Sequence, residues 1–207
     1  MTQPIAPALR GLAALAAGAL LLCLGACSKS PEATKFAVTD SSFKCIKDMT
    51  KVRHFFVDNL AGNLQATVDV ATRGKGEYPY GSVLQIMPNE VMIKQAKGSS
   101  PATKDWEFLW IDNDKVGSKI FVRGATEVNN RLGLNCFACH TKAKAEFDFV
   151  CETGQGCDPL PVTRAMFTAL QNTDPRCKGS ETVSAEDQES LKQLDTVVKA
   201  LTKKEKA

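Results

Sequence analysis

The sequence is poor in histidine, tyrosine and tryptophan, with two of each in 207 residues. It lacks a surplus of one charge: 26 basic side chains face 23 acidic ones, for a formal charge of +3. That balance leaves no nucleic-acid footprint, and no block of like charges reads as an interaction arm. No internal repeat is present. The apolar run Leu12 to Leu24 is too short to span a bilayer comfortably. With 43% hydrophobic and 24% charged residues, 14 Gly and 9 Pro, the chain is neither disordered nor collagen-like. Its length fits one domain, or one domain with appendages. Eight cysteines against two histidines is the unusual balance, and the cysteines divide by their chemistry.

The apolar run begins just after Arg10 and ends in Leu24-Gly25-Ala26-Cys27. A basic residue, an apolar stretch and small residues before a cleavage point make an export signal over residues 1–26. Cys directly after Leu-Gly-Ala resembles the lipobox of bacterial lipoproteins. The resemblance implies diacylglycerol on the Cys27 thiol and cleavage just before it. Cys23 then leaves with the signal. Acyl chains hold a protein to a membrane at about 0.8 kcal/mol per buried methylene. Residues 27–40 read as a polar tether. By analogy with enteric lipoproteins, Ser28 rather than Asp after the acylated Cys implies the outer membrane, facing the periplasm.

Cys136-Phe137-Ala138-Cys139-His140 is a C-x-x-C-H segment, the attachment signature of c-type haem. Two thiols at that spacing add across the two vinyl groups, and the adjacent His140 ligates the iron. Val128, Leu132, Cys136 and His140 recur every four residues, so a helix would carry them in one stripe. Two other chemistries use the same residue types. Zinc needs a second ligand pair, and only His54 and scattered cysteines remain. A redox dithiol goes with a thioredoxin-like alternation of strands and helices, which the sequence does not have.

Cys45, Cys151, Cys157 and Cys177 remain. An even number in an exported chain implies two disulfides, with three connectivities open. Gly154 and Gly156 turn the short segment between Cys151 and Cys157, so Cys151–Cys157 is favoured. That leaves Cys45–Cys177.

About a hundred residues precede the C-x-x-C-H segment, and much of their pattern is strand-like. Val52–Val57 is β-rich; Ser82–Met87 and Glu90–Gln95 flank a Pro88-Asn89 turn. Trp106, Phe108 and Trp110 share one face of a strand over Asp105–Ile111, and Lys119–Val122 reads as another strand. Residues Asn63–Thr72 read as a helix ending near Gly74 and Gly76. Ser184–Lys203 is an amphipathic helix opened by a Ser184/Asp187 capping box, with Leu191, Leu194, Val198 and Leu201 as its stripe. The expected class is α+β: an antiparallel sheet with flanking helices over residues 41–177, C-x-x-C-H near the end of that domain, and an extra helical extension over 178–207.

The order V-R-H-F-F-V-D-N, Y-P-Y-G-S-V-L, D-W-E-F-L-W, N-C-F-A-C-H-T-K-A-K, D-F-V and P-V-T resembles cytochrome P-460 and its relative cytochrome c′-beta, over Lys51 to Thr163. The resemblance implies an antiparallel sheet, one covalent haem c, a periplasmic setting and often a homodimer. It also implies one of two activities: hydroxylamine oxidation, or nitric oxide binding at a five-coordinate iron under an apolar pocket. In cytochrome P-460 a lysine on the strand after the Y-P-x-G segment is joined to the haem edge; aligned on Gly81, that position is Ile86, which cannot form the bond. Lys94, on the next strand, is a substitute by analogy. Apolar candidates for the distal wall are Phe55, Phe56, Leu84 and Ile86. For the sixth iron position His54 is the only histidine available. Strand alternation turns Met87 away if Ile86 faces the haem, and Met49, Met92 and Met166 read as packing residues. Three classes of function are open: a single-electron carrier with a periplasmic redox partner, a binder of small diatomic gases, and a hydroxylamine- or nitric-oxide-converting enzyme. The missing lysine puts the enzyme last.

Overall fold

A computed structural model describes residues 36–204. The lipobox, Cys27 and the signal segment lie outside the described residues. Six strands form one antiparallel sheet in chain order: β1 (Thr50–Val52), β2 (Phe55–Asn59), β3 (Ser82–Gln85), β4 (Glu90–Lys94), β5 (Trp106–Asn113) and β6 (Ser118–Arg123). Helix α1 (Leu64–Arg73) fills the β2–β3 connection and ends at Gly74. Asn59 fixes that connection: its Oδ1 accepts from Ala61 N (2.8 Å) and Asn63 N (3.0 Å), and its Nδ2 donates to Thr67 Oγ1 (3.0 Å) and Tyr80 O (3.0 Å). Three more helices come after the sheet: α2 (Cys136–His140), α3 (Arg164–Asn172) and α4 (Ala185–Lys204). The class is α+β, with a six-stranded antiparallel sheet and four α-helices among the described residues.

Side-chain alternation sends each strand's residues to two separate cores. One face gathers Phe55, Val57, Leu84, Met92, Trp106 and Phe108, with Val70 and Ala71 of α1 and Tyr78, Val128 and Val150 of the loops. The other gathers Phe56, Val83, Val91, Ile93, Leu109 and Ile111, closed by Phe43, Ile46 and Met49. Burying such a side chain contributes about 1.5–3 kcal/mol. A third cluster joins Met87 to Met166 and Leu170 of α3 and Leu194 of α4. Gln171 of α3 ties that cluster to the sheet, its Nε2 donating to His54 O (2.9 Å) and Ile86 O (2.8 Å).

The two disulfides are Cys45–Cys177, with Cα atoms 4.8 Å apart, and Cys151–Cys157, 5.7 Å apart. This is the pairing favoured from the sequence, and it fits an oxidising, extracytoplasmic location. No described helix is long and apolar enough to cross a membrane.

Four local expectations need correction. Val52–Val57 is not one strand: Arg53, at φ 57°, turns the chain and makes β1 and β2 a tight hairpin. The helical stripe from Val128 to His140 is helical only over its last five residues. Helix α3 has no counterpart in the sequence reading; Thr163 caps it by accepting from Met166 N (3.3 Å). Packing begins at Phe36, inside the stretch read as tether. Its ring stacks on Tyr80 with centroids 4.9 Å apart, and its N–H donates to the Tyr80 hydroxyl (3.0 Å).

Candidate cofactor-attachment site

Helix α2 carries Cys136, Cys139 and His140 against the first sheet face. The approach to it is a capped loop rather than a longer helix. Gly133, at φ 83°, takes a backbone conformation that other residues adopt only with strain. Asn130 Oδ1 accepts from Leu132 N (2.9 Å) and Leu134 N (3.0 Å). Asn135 then starts the helix, its Oδ1 accepting from Ala138 N (2.8 Å). Its Nδ2 donates to the carbonyls of Ala125, Thr126 and Val128 at 3.1–3.2 Å. Val128 and Leu132 are buried as expected, but from the loop.

His140 Nδ1 lies 2.6 Å from Phe149 O. A carbonyl only accepts, so Nδ1 carries the hydrogen and the lone pair sits on Nε2. Burial pulls the imidazole below its ordinary pKa, which favours the neutral, metal-ligating form. The ring packs on Phe108, with centroids 5.4 Å apart. Phe137 also packs on Phe108 (5.7 Å) and on Phe149 (5.9 Å).

Cys136 and Cys139 are the free cysteines among the described residues. Burial pushes the Cys136 thiol up to about 12, helped by the nearby Glu90 carboxylate, and burial also raises Cys139. A redox dithiol works through a lowered thiol pKa, so the environment opposes that chemistry. Zinc fares no better. Among the described residues the one cluster of three convergent ligand atoms is Cys45, Asp174 and Cys177. Its cysteines form a disulfide, and Asp174 accepts from Ile46 N (2.9 Å) and from Arg176 (2.7 Å). The Cys136, Cys139 and His140 ligand atoms do not converge on one point. Two thiols and a neutral imidazole with its lone pair on Nε2, carried on one short helix, are a donor set compatible with haem c.

The Cys151–Cys157 loop clasps α2 from behind. Cys151 Sγ lies 3.9 Å from Cys139 O, and Lys144 N donates to Gln155 O (2.8 Å). A Cβ on Gly156 would come within 2.6 Å of Lys142 O, so only glycine allows this approach. Gln155 Nε2 donates to Gly74 O (3.0 Å), and Glu152 pairs with Arg53 through Nε at 2.8 Å. The loop thus anchors α2 to the end of α1 and to the β1–β2 turn.

Phe55 and Leu84 share the cluster that includes Cys136, and Ile86 packs at its border with the third cluster. Phe56 is a correction. It pairs with Gln85 in β2–β3 register but points to the opposite face, one residue out of phase with Phe55. Met87 and Met166 lie in the third cluster and Met49 on the far face; Met92 is the one methionine among the described residues on the site face. The His54 ring meets Phe55 edge-on at 5.8 Å, and burial lowers its pKa.

The sequence reading misses Glu90 on the site face, and names Lys94 only as a stand-in for the family lysine. Glu90 and Lys94 alternate with Met92 along β4, so a register count places all three on one side. Burial pushes the Glu90 carboxyl up to about 7, and its Oε1 accepts from Arg131 N (3.0 Å) in the loop before α2. Lys94 Nζ donates to both oxygens of Asp148 (2.9 and 2.8 Å) and to Lys104 O (2.7 Å). No family model, curated protein or solved structure matches this chain.

Proposed function

We propose that the chain is an exported, lipid-anchored monohaem c-type cytochrome of the cytochrome P-460 and c′-beta kind, carrying single electrons or binding a small neutral diatomic ligand. Haem c, when bound, supplies one iron that changes oxidation state by a single electron and can hold a gas such as nitric oxide. Cys136 and Cys139 would hold its edge through thioethers, and His140 Nε2 would ligate the iron. The observation that carries the reading is the state of the six cysteines of the folded region. Four are paired as disulfides, and the two left as thiols are those of C-x-x-C-H, beside an imidazole whose free lone pair is on Nε2.

The chain's own residues act through position and polarity. The Phe149 carbonyl fixes the tautomer and orientation of His140. Phe108 packs on the imidazole, with Phe137 and Phe149 packed behind it, so one side of the ring is shielded from water. Phe55, Leu84 and Ile86 offer no proton donor, so a polar or anionic ligand would gain no hydrogen bond from them while a neutral gas loses little. Hydroxylamine oxidation is disfavoured on the same grounds. Ile86 cannot cross-link to a haem edge, and the Lys94 ammonium is engaged by Asp148 and Lys104 O.

Haem-stained denaturing gels of protein matured with a cytochrome c assembly system test the attachment. Wild type should stain, and the double variant Cys136→Ala/Cys139→Ala should lose all covalent haem. An unstained wild type, or a stained double variant, overturns the reading. The absorption spectrum of the reduced protein then separates the two roles. A sharp low-spin α-band marks a carrier; a broad high-spin spectrum that responds to nitric oxide marks a gas binder. Membrane attachment is tested by Cys27→Ser, which should release the protein or block its processing.

A further inference from the structure

Five non-glycine residues among the described ones have positive φ, and four of them form two consecutive pairs: Lys104 (50°) with Asp105 (65°), and Asp148 (50°) with Phe149 (61°). Such a conformation is strained for a non-glycine residue, so something must hold each pair. One side chain reaches both. Lys94 Nζ donates to Lys104 O in the first pair and to the Asp148 carboxylate in the second. It also lies 5.0 Å from the Trp106 ring centre. The Lys94 and Asp148 side chains are only 4% and 5% exposed. Asp148 takes further bonds from Tyr78 N (2.9 Å) through its carboxylate and from Trp106 Nε1 (2.7 Å) through its carbonyl.

A buried ion pair is weak evidence of stability. Removing two charges from water is costly, and a well-packed apolar pair is often no worse. The use of this pair lies one peptide further on: Phe149 O is the acceptor for His140 Nδ1–H. We infer that the buried Lys94–Asp148 pair is a positioning device for His140, holding the left-handed Asp148–Phe149 turn so that the Phe149 carbonyl fixes the imidazole and strengthens it as an iron ligand. This rests on the haem reading. A hydrogen bond from Nδ1 gives the imidazole more anionic character, which favours the oxidised iron. Losing that bond should therefore raise the reduction potential.

The experiment uses holoprotein carrying Lys94→Met, and Trp106→Phe as the milder variant, which keeps the ion pair and an aromatic ring but deletes the indole donor to Asp148 O. Haem staining is checked first. The midpoint potential and the solvent exchange of the His140 Nδ1 proton are then measured against wild type. The control is Arg176→Met, which breaks the buried Arg176–Asp174 pair; Asp174 also bonds Ile46 N of the far core. Lys94→Met should shift the potential upward and speed exchange, with Trp106→Phe shifting both the same way by less. Arg176→Met should lower the melting temperature and leave both unchanged. Should Lys94→Met fail to load haem, Trp106→Phe alone decides. Stained variants with wild-type potential and exchange overturn the positioning role and leave haem attachment standing. A control that shifts both as far as Lys94→Met reduces the effect to general loosening and overturns it too. An unstained wild type fails at the earlier step and removes both.

Discussion

The two faces of the sheet are built on different principles. The far face is closed by apolar side chains and by Cys45–Cys177, which joins the start of the fold to its end across a sequence separation of 132. The site face holds the free thiols, a half-buried imidazole, the half-buried Glu90, the buried Lys94 and both left-handed pairs. The far face is mostly apolar packing, with the buried Arg176–Asp174 pair bonded to it at Ile46 N. The site face adds strained backbone to its desolvated charge, a combination natural sequences concentrate where chemistry is done.

That contrast can be broken from either side. The largest effect is expected on the far face. Removing the long bridge with Cys45→Ala/Cys177→Ala should cost about 4–5 kcal/mol of stability by loss of loop closure. Denaturant melts measure it, and covalent haem should persist in whatever folds. Phe55→Ala and Phe56→Ala compare the faces directly. Each buried phenyl lost costs about 3–5 kcal/mol. Both should lower the denaturation midpoint, but only Phe55→Ala should alter the haem absorption spectrum; equal spectral changes would erase the distinction between faces. Opening the short loop with Cys151→Ser/Cys157→Ser should cost only about 2 kcal/mol. Its signature is local, a faster amide exchange in Cys136–Thr141 than on β2 or β3.

Glu90→Gln is read against pH and has no effect in acid. The folded carboxyl titrates near 7 instead of its ordinary 4.5, because burial disfavours its charge. The folded state then holds a proton that the unfolded state releases between those values. Wild-type stability is unpenalised below pH 4.5, falls as pH rises to 7, and stays level above. The variant should melt like wild type at about pH 4 and higher than wild type at about pH 8. A gain that is the same at both pH values would show that Glu90 is not desolvated.

Much of the fold and of the site was legible in the sequence because it was carried by local signals. The C-x-x-C-H spacing, the glycine-rich turn between Cys151 and Cys157, the Ser184 cap and the Pro88-Asn89 hairpin each announce themselves within a few residues. The features that escape a sequence reading depend on register or on distant partners. Phe55 and Phe56 are adjacent, and only the pairing with β3 tells which one faces α2. Arg53 bends the chain in a run whose composition reads as one strand, because the turn is held by Glu152, far along the chain. Helix α3 is short, and its apolar side is defined by Met87 and Leu194 rather than by a long stripe of its own. The Asp148–Phe149 turn has no sequence signature, since the pair as a whole does not favour a left-handed backbone. Glu90 and the buried pairing of Lys94 could have been suspected, because two charges flanking a core methionine at period two contradict an ordinary strand.

The long bridge also dictates an order of events. Cys45 is the first cysteine of the folded region and Cys177 the last, so the native partner becomes available only when nearly all of the fold has been delivered. Between them the chain presents Cys136, Cys139, Cys151 and Cys157. Oxidation in order of appearance would join Cys45 to Cys136 and Cys139 to Cys151, consuming in wrong pairs both thiols proposed to attach haem. Correct maturation thus requires that Cys45 wait, or that early pairs be reshuffled by thiol–disulfide exchange before the attachment thiols are used. Yield of the mature protein should accordingly depend on the disulfide isomerase activity of the compartment in which it folds.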